Sequence, residues 1–225
     1  MYRYLIRFSK SGTICYISHL DLMRVFQRAI KKTGIKQSYS QGFNPHPKMG
    51  FGQPLSLGYT GLNEYMEFET EEEYDTDELK QTLSGVMPEG LKISECRKIE
   101  TLKKTLASVT EAAEYIISVP LERSLGTDGS TMHDRFMSQS EILCLKKQKK
   151  KKDLAEIDIR PMIRNIVFTP EDECLFITAE LDSGSVSNLS PELLIGAVCR
   201  FFGIETGRNE IEVMRTRIMF NQEIQ

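Results

Sequence analysis

Residues 2–34 read YRYLIRFSKSGTICYISHLDLMRVFQRAIKKTG, and within them apolar residues change from recurring at every second position to every third or fourth. That change marks a strand handing over to a helix, because side chains alternate across a strand but return to one helix face after about 3.6 residues. In YRYLIRF (2–8), Tyr2, Tyr4, Ile6 and Phe8 fall on one face and Arg3, Leu5 and Arg7 on the other. SKSG supplies a turn. Ser18 then stands where an N-cap is needed, with Asp21 three residues on, and Gly34 is placed to end the helix. Leu22, Phe26, Ala29 and Ile30 form the stripe that a helix buries, while Arg24, Arg28 and Lys31 recur at i, i+4 and i+7 on another face. The helix therefore reads as amphipathic and basic.

Downstream, YSQGFNPHPKMGFGQPLSLG (39–58) reads as a long loop, followed by strands near 51–57 and at 64–70, a helix capped at Asp75 or Thr76, the turn MPEG, and a strand at 91–99. The order β-α-β-β-α-β is the ferredoxin-like arrangement, with helices on one face of an antiparallel sheet and the other face free. Residues 100–111 read as a connector. A strand at 112–120, a helix around 129–138, the strands EILCLKK, DLAEIDI, RNIVFT and CLFITAEL, a helix capped by Ser190 with Pro191 at its first position, and the strand IEVMRTRIMF repeat the order with one extra strand. The sequence thus predicts an α+β chain of two tandem ferredoxin-like units with antiparallel sheets. The first covers 1–102 with a Gly/Pro-rich loop at 39–54, and the second covers 112–225 with a basic hairpin at 146–152, whose lysines read as a solvated tip.

Composition excludes several classes. With 40% hydrophobic and 27% charged residues over 225 positions, the chain has the makings of a packed core. No window approaches the roughly 20 apolar residues that span a bilayer, and MYRYLIRFSK lacks the apolar stretch of a signal peptide, so a cytoplasmic protein without a membrane partner is expected. Five widely spaced cysteines without a C-x-x-C pair read as reduced thiols, and His19, His46 and His133 are too dispersed for a metal site. No phosphate-binding glycine loop, serine-hydrolase elbow or zinc-peptidase motif is present, so neither metal nor cofactor is expected.

Charge is segregated. Residues 1–60 carry nine Lys or Arg against Asp21 alone, a net +8, whereas residues 61–90 carry ten acids against Lys80, a net −9. The two segments either neutralise each other across a shared sheet or leave a basic surface for a polyanion. The loop supplies the chemistry of single-stranded RNA recognition: Tyr39 and Phe43 as stacking rings, Gln41, Asn44 and His46 as hydrogen-bonding groups held by Pro45 and Pro47, and Lys48 as a cation. Lys10, Arg24, Arg28 and Lys31 complete a candidate RNA-binding set. His19, in the first turn of the basic helix, and His46 are the candidates for a metal-free acid/base pair, which would make the protein an endoribonuclease.

FSKSG (8–12), ISHLDLMRVFQRAIKKTG (17–34), YSQGFNPHPKMGFGQPLSLG (39–58) and NEYMEFE (63–69), with DIRPMI (158–163) and RTRIMF (215–220) later, resemble the bacterial radical-SAM-linked family, a domain of unknown function. The resemblance implies a partnership with radical S-adenosylmethionine proteins that carry a cobalamin-binding-like domain, and transfers no catalytic residue. A fainter likeness is to the repeat-associated RNA-binding superfamily that includes CRISPR repeat-processing endoribonucleases, from which this chain departs by having its glycine-rich loop in the first unit. The expected function is an RNA-binding accessory protein presenting tRNA or rRNA to a radical-SAM enzyme, more a binding module than an enzyme. The alternatives are the endoribonuclease using His46 and a protein–protein adaptor that docks through the acidic strip 64–78.

Overall fold

In the computed structural model, which describes residues 1–99, 104–147 and 154–222, the alternating run at the N-terminus forms β1 (Tyr2–Lys10). Contacts divide the chain into two units, Met1–Glu111 together with the chain from Arg215 onward, and Ala112–Met214. The architecture is mixed α+β with antiparallel strand pairing.

In the first unit, β1 lies between β4 (Leu91–Ile99) and β3 (Thr60–Thr70), antiparallel to both. On β3 the short β2 (Met49–Phe51) pairs with residues 66–68. The last strand, β10 (Glu212–Phe220), starts in the second unit and finishes in the first, where Asn63 Nδ2 donates to Thr216 O at 2.8 Å. Helix α1 (His19–Lys32) begins where Ser18 Oγ accepts from Asp21 N at 3.2 Å and donates to Asp21 Oδ2 at 2.6 Å. Leu22, Phe26, Ala29 and Ile30 are buried, as the periodicity predicts. With Leu79 and Leu83 of α2 (Thr76–Ser84), they cover Tyr4, Ile6, Phe8 and Phe51.

The opposite face of this sheet is covered, contrary to the sequence expectation. Leu5 packs with Ile99, Leu106 and Val109, flanked by Tyr65 and Phe220. Of the segment read as a connector, residues 100–103 lie outside the described residues and Leu106–Val109 form the short α3, capped by Thr105, whose Leu106 N donates to Glu67 Oε1 at 3.2 Å. One leucine among arginines was enough to demand an apolar partner. The strand expected at 51–57 is cut to Met49–Phe51, because Pro54 cannot donate to a ladder and the chain turns at Gly58, whose φ is +82°.

In the second unit β5 (Thr110–Pro120) pairs with β9 (Cys174–Asp182), which pairs in turn with β8 (Ile163–Pro170). Helices α4 (Gly129–Met137) and α5 (Pro191–Phe202) contribute Phe136, Phe201 and Phe202, which meet Phe168 of β8 in an aromatic core. Gly129 is obligatory, since a Cβ there would lie 1.9 Å from Phe168 O. The strands β6 (Leu143–Lys147) and β7 (Leu154–Asp158) form a separate two-stranded sheet. Of the basic hairpin predicted at 146–152, residues 148–152 lie outside the described residues. The five cysteines are free thiols, and burial pushes Cys96 up to about 12. No helix among the described residues is long and apolar enough to cross a membrane.

Candidate functional site

The glycine- and proline-rich segment is a hairpin fastened to the end of β3. Ser38 N donates to Glu69 O at 2.8 Å, Lys48 N to Ser38 O at 2.8 Å, and Glu69 N to Lys48 O at 3.0 Å. Farther out, Tyr39 bridges Pro47, Ser40 N donates to His46 O at 2.8 Å, and His46 N donates to Ser40 Oγ at 2.9 Å. These bonds leave residues 41–45 as the tip, where Gly42 takes a φ of +132° that an L side chain would rarely adopt. Gln41, Phe43, Asn44 and His46 are all exposed on it, Phe43 completely, and Tyr39 at its base is 48% exposed. Neither ring of the predicted pair is used in the core.

Helix α1 presents Arg24, Arg28 and Lys31 to solvent, opposite its buried stripe. Arg24 Nη1 donates to Asp21 Oδ1 at 2.9 Å, and the Asp21 carboxyl is held below its usual range, first by the Ser18 hydroxyl and then by Arg24. Among the described residues Arg28, Lys31 and Lys32 have no carboxylate partner. At the C-terminal end of α1, Lys31 and Tyr39 come together as walls of a groove of about 360 Å³.

Other members of the basic segment are taken up in ion pairs, Lys36 on the surface, Lys48 half-buried and Arg3 buried. Lys48 Nζ meets Glu69 Oε2 at 2.8 Å, Lys36 Nζ meets Glu72 Oε1 at 2.5 Å, and Arg3 forms a buried pair with Glu67. Beside β2, a recess of about 330 Å³ is lined by Arg3 and Lys48 together with Glu67 and Glu69. Within the acidic strip 64–78, Glu64 and Glu67 are buried, Glu69, Glu72 and Glu73 are ion-paired, and Glu71, Asp77 and Glu78 are exposed.

Lys10 leaves the surface set altogether. It is 1% exposed, and its Nζ donates to Cys15 O at 3.3 Å and Ile17 O at 3.4 Å, holding the turn that leads into α1. Desolvation lowers its pKa, opposed by Cys15 and Glu64. Glu64 also takes Nε of Arg215 at 2.9 Å, with a second contact through Nη2, and the same guanidinium donates to Gln53 O at 2.8 Å. Three motifs distant in sequence, FSKSG, NEYMEFE and RTRIMF, thus meet in one buried polar centre that fixes both the lead-in to α1 and the end of the loop. Sequence reasoning missed Glu64 and Arg215. The available signal was a charged residue at an inward position of each strand, which only a partner can make tolerable.

His19 is half-buried with its ring edge-on to Phe51 at 5.2 Å, and burial, followed by the charge of Lys10, lowers its pKa. His46 sits on the exposed hairpin. The two candidate acid/base groups thus occupy different settings, one against the core and one on the tip.

Among solved structures, a chain in a crystal structure of a Cbf5-Nop10-Gar1 complex is similar, with a TM-score of 0.49 and 13% identity over 96% of this chain. This chain spans about half of that one, 48% of its length. Comparison with curated proteins returns no match. Residues 3–191, which run from β1 to the start of α5, match the model of a family described as an uncharacterized protein conserved in bacteria (DUF2344), and the chain belongs to that family.

Proposed function

We propose that the protein is an RNA-binding accessory module that presents tRNA or rRNA to a radical-SAM enzyme carrying a cobalamin-binding-like domain. The observation that carries the RNA part is the row Arg24, Arg28 and Lys31 on the solvent face of α1, in the same unit as a hairpin whose Phe43 and Tyr39 rings are exposed. Cations that hold phosphates and rings on which bases stack are what sequence-tolerant single-strand binding requires. The radical-SAM partnership rests on the sequence resemblance alone.

We read the chain as two tandem ferredoxin-like units. The first runs β1-α1-β2-β3-α2-β4 with β1 central, and the second repeats the order as β5-α4-β8-β9-α5-β10 once the β6–β7 hairpin is set aside.

A filter-binding titration of the full chain with total tRNA tests the reading. Binding at low salt that weakens steeply as salt rises is expected. Absence of binding, or binding indifferent to salt, overturns it. Labelled RNA incubated with the protein in EDTA is expected to remain intact, and metal-independent cleavage lost in His46→Ala would replace this reading with the endoribonuclease.

A further inference from the structure

The groove at the C-terminal end of α1 has a specific chemistry. Its volume of about 360 Å³ lies in the range of small-ligand sites, roughly 300–1,000 Å³. Ile30 and Ile35 give it an apolar floor, and Lys31 and Glu71 stand among its walls. Gln37 and Tyr39 alternate along an extended segment, so both side chains take the same side, and both line the groove. Gln37 is 8% exposed, and its Nε2 has no hydrogen-bond partner among the described residues. A buried amide donor without an acceptor is a standing cost that a ligand acceptor can relieve.

We propose that this groove is a nucleobase site selective for guanine in single-stranded RNA. The inference rests on the RNA-binding reading and names the base. The guanine Watson–Crick edge carries one acceptor, O6, followed by two donors, N1–H and N2–H. Gln37 Nε2 donates to O6, and the Glu71 carboxylate accepts from N1–H and N2–H with its two oxygens, a charge-assisted bidentate pair. Adenine and uracil present a single donor beside an acceptor, so each leaves one carboxylate oxygen without a partner. Tyr39 stacks on the base, and Lys31 meets the adjoining phosphate.

The test is fluorescence anisotropy of the full chain with 5′-labelled hexanucleotides UUGUUU, UUAUUU, UUUUUU and a UUGUUU analogue with inosine, which lacks the 2-amino group. Guanine is expected to bind about tenfold tighter than adenine or uracil, with inosine losing most of that advantage. Glu71→Gln, at an exposed position, is expected to abolish the preference by bringing UUGUUU affinity level with that of UUUUUU. Gln37→Leu, which keeps the buried volume, is expected to weaken only the guanine- and inosine-containing probes. Equal, salt-dependent binding of all four probes overturns the guanine site and leaves the RNA-binding reading standing. Failure of every probe to bind at low salt overturns the RNA-binding reading itself, and the site with it.

Discussion

A buried lysine–glutamate–arginine centre sets the residue-scale energetics. Arg215 and Glu64 have side chains 1% and 5% exposed, so removing either leaves an uncompensated charge in a medium that cannot solvate it. Arg215→Met is expected to lower the unfolding free energy by about 3–5 kcal/mol in urea denaturation. Adding Glu64→Leu together with Lys10→Met, which empties the centre of charge, should recover most of that loss, and a triple variant no more stable than the single one would contradict the account. Lys10 read from sequence as a solvent-facing cation in a turn, because nothing local announces burial when the compensating groups lie far along the chain. His19 gives a pH test. Its folded pKa is depressed by burial and by Lys10, whereas in the unfolded chain it returns to about 6.5. The unfolded state therefore takes up the proton first as pH falls. The stability contributed by neutral His19 is complete above about pH 6.5 and is lost as pH drops toward the folded value. Thermal melts between neutral and mildly acidic pH should show a shallower decline for His19→Gln than for the parent chain.

Elements whose stability is local were legible, and those made by distant pairing were not. The α1 cap, its buried stripe and its basic face all follow from spacing, since a helix closes its hydrogen bonds within itself. The hairpin 38–48 read as a bare loop because its backbone bonds run to β3, and no residue pattern records which carbonyl a glycine-rich segment will find. Overextension of β2 and the missed α3 have the same origin. Of the candidate site, the exposed rings and the α1 cations were readable, whereas the diversion of Lys10, Lys36 and Lys48 into ion pairs or carbonyl contacts was not. Phe43 offers the cleanest separation of fold from function, being completely exposed at the tip. Phe43→Ser should move stability by no more than about 0.5 kcal/mol in urea denaturation. It should also weaken single-stranded RNA by about fivefold or more, because base–ring stacking contributes about 1–3 kcal/mol. Unchanged affinity would remove Phe43 from the interface.

Over the whole molecule, the segregation of charge resolves into two parts. Glu67, Glu72 and Glu69 of the acidic segment neutralise Arg3, Lys36 and Lys48 of the basic one, so the bland explanation accounts for those cations. Lys10 is enclosed beside Glu64. What the sheet does not absorb lies on α1, and under the proposed RNA-binding function this sets the salt dependence to expect. Each phosphate neutralised on a single strand contributes about −0.7 to the slope of log K against log salt. Contacts from Arg24, Arg28 and Lys31 therefore set a slope near −2, against about −6 if all nine basic residues of the segment took part. With a uridine homopolymer the slope is expected near −2, falling by about 1.4 in the double variant Arg28→Gln, Lys31→Gln. A slope that the double variant leaves untouched would move the phosphate contacts off α1, and with them the reason for assigning RNA to this face.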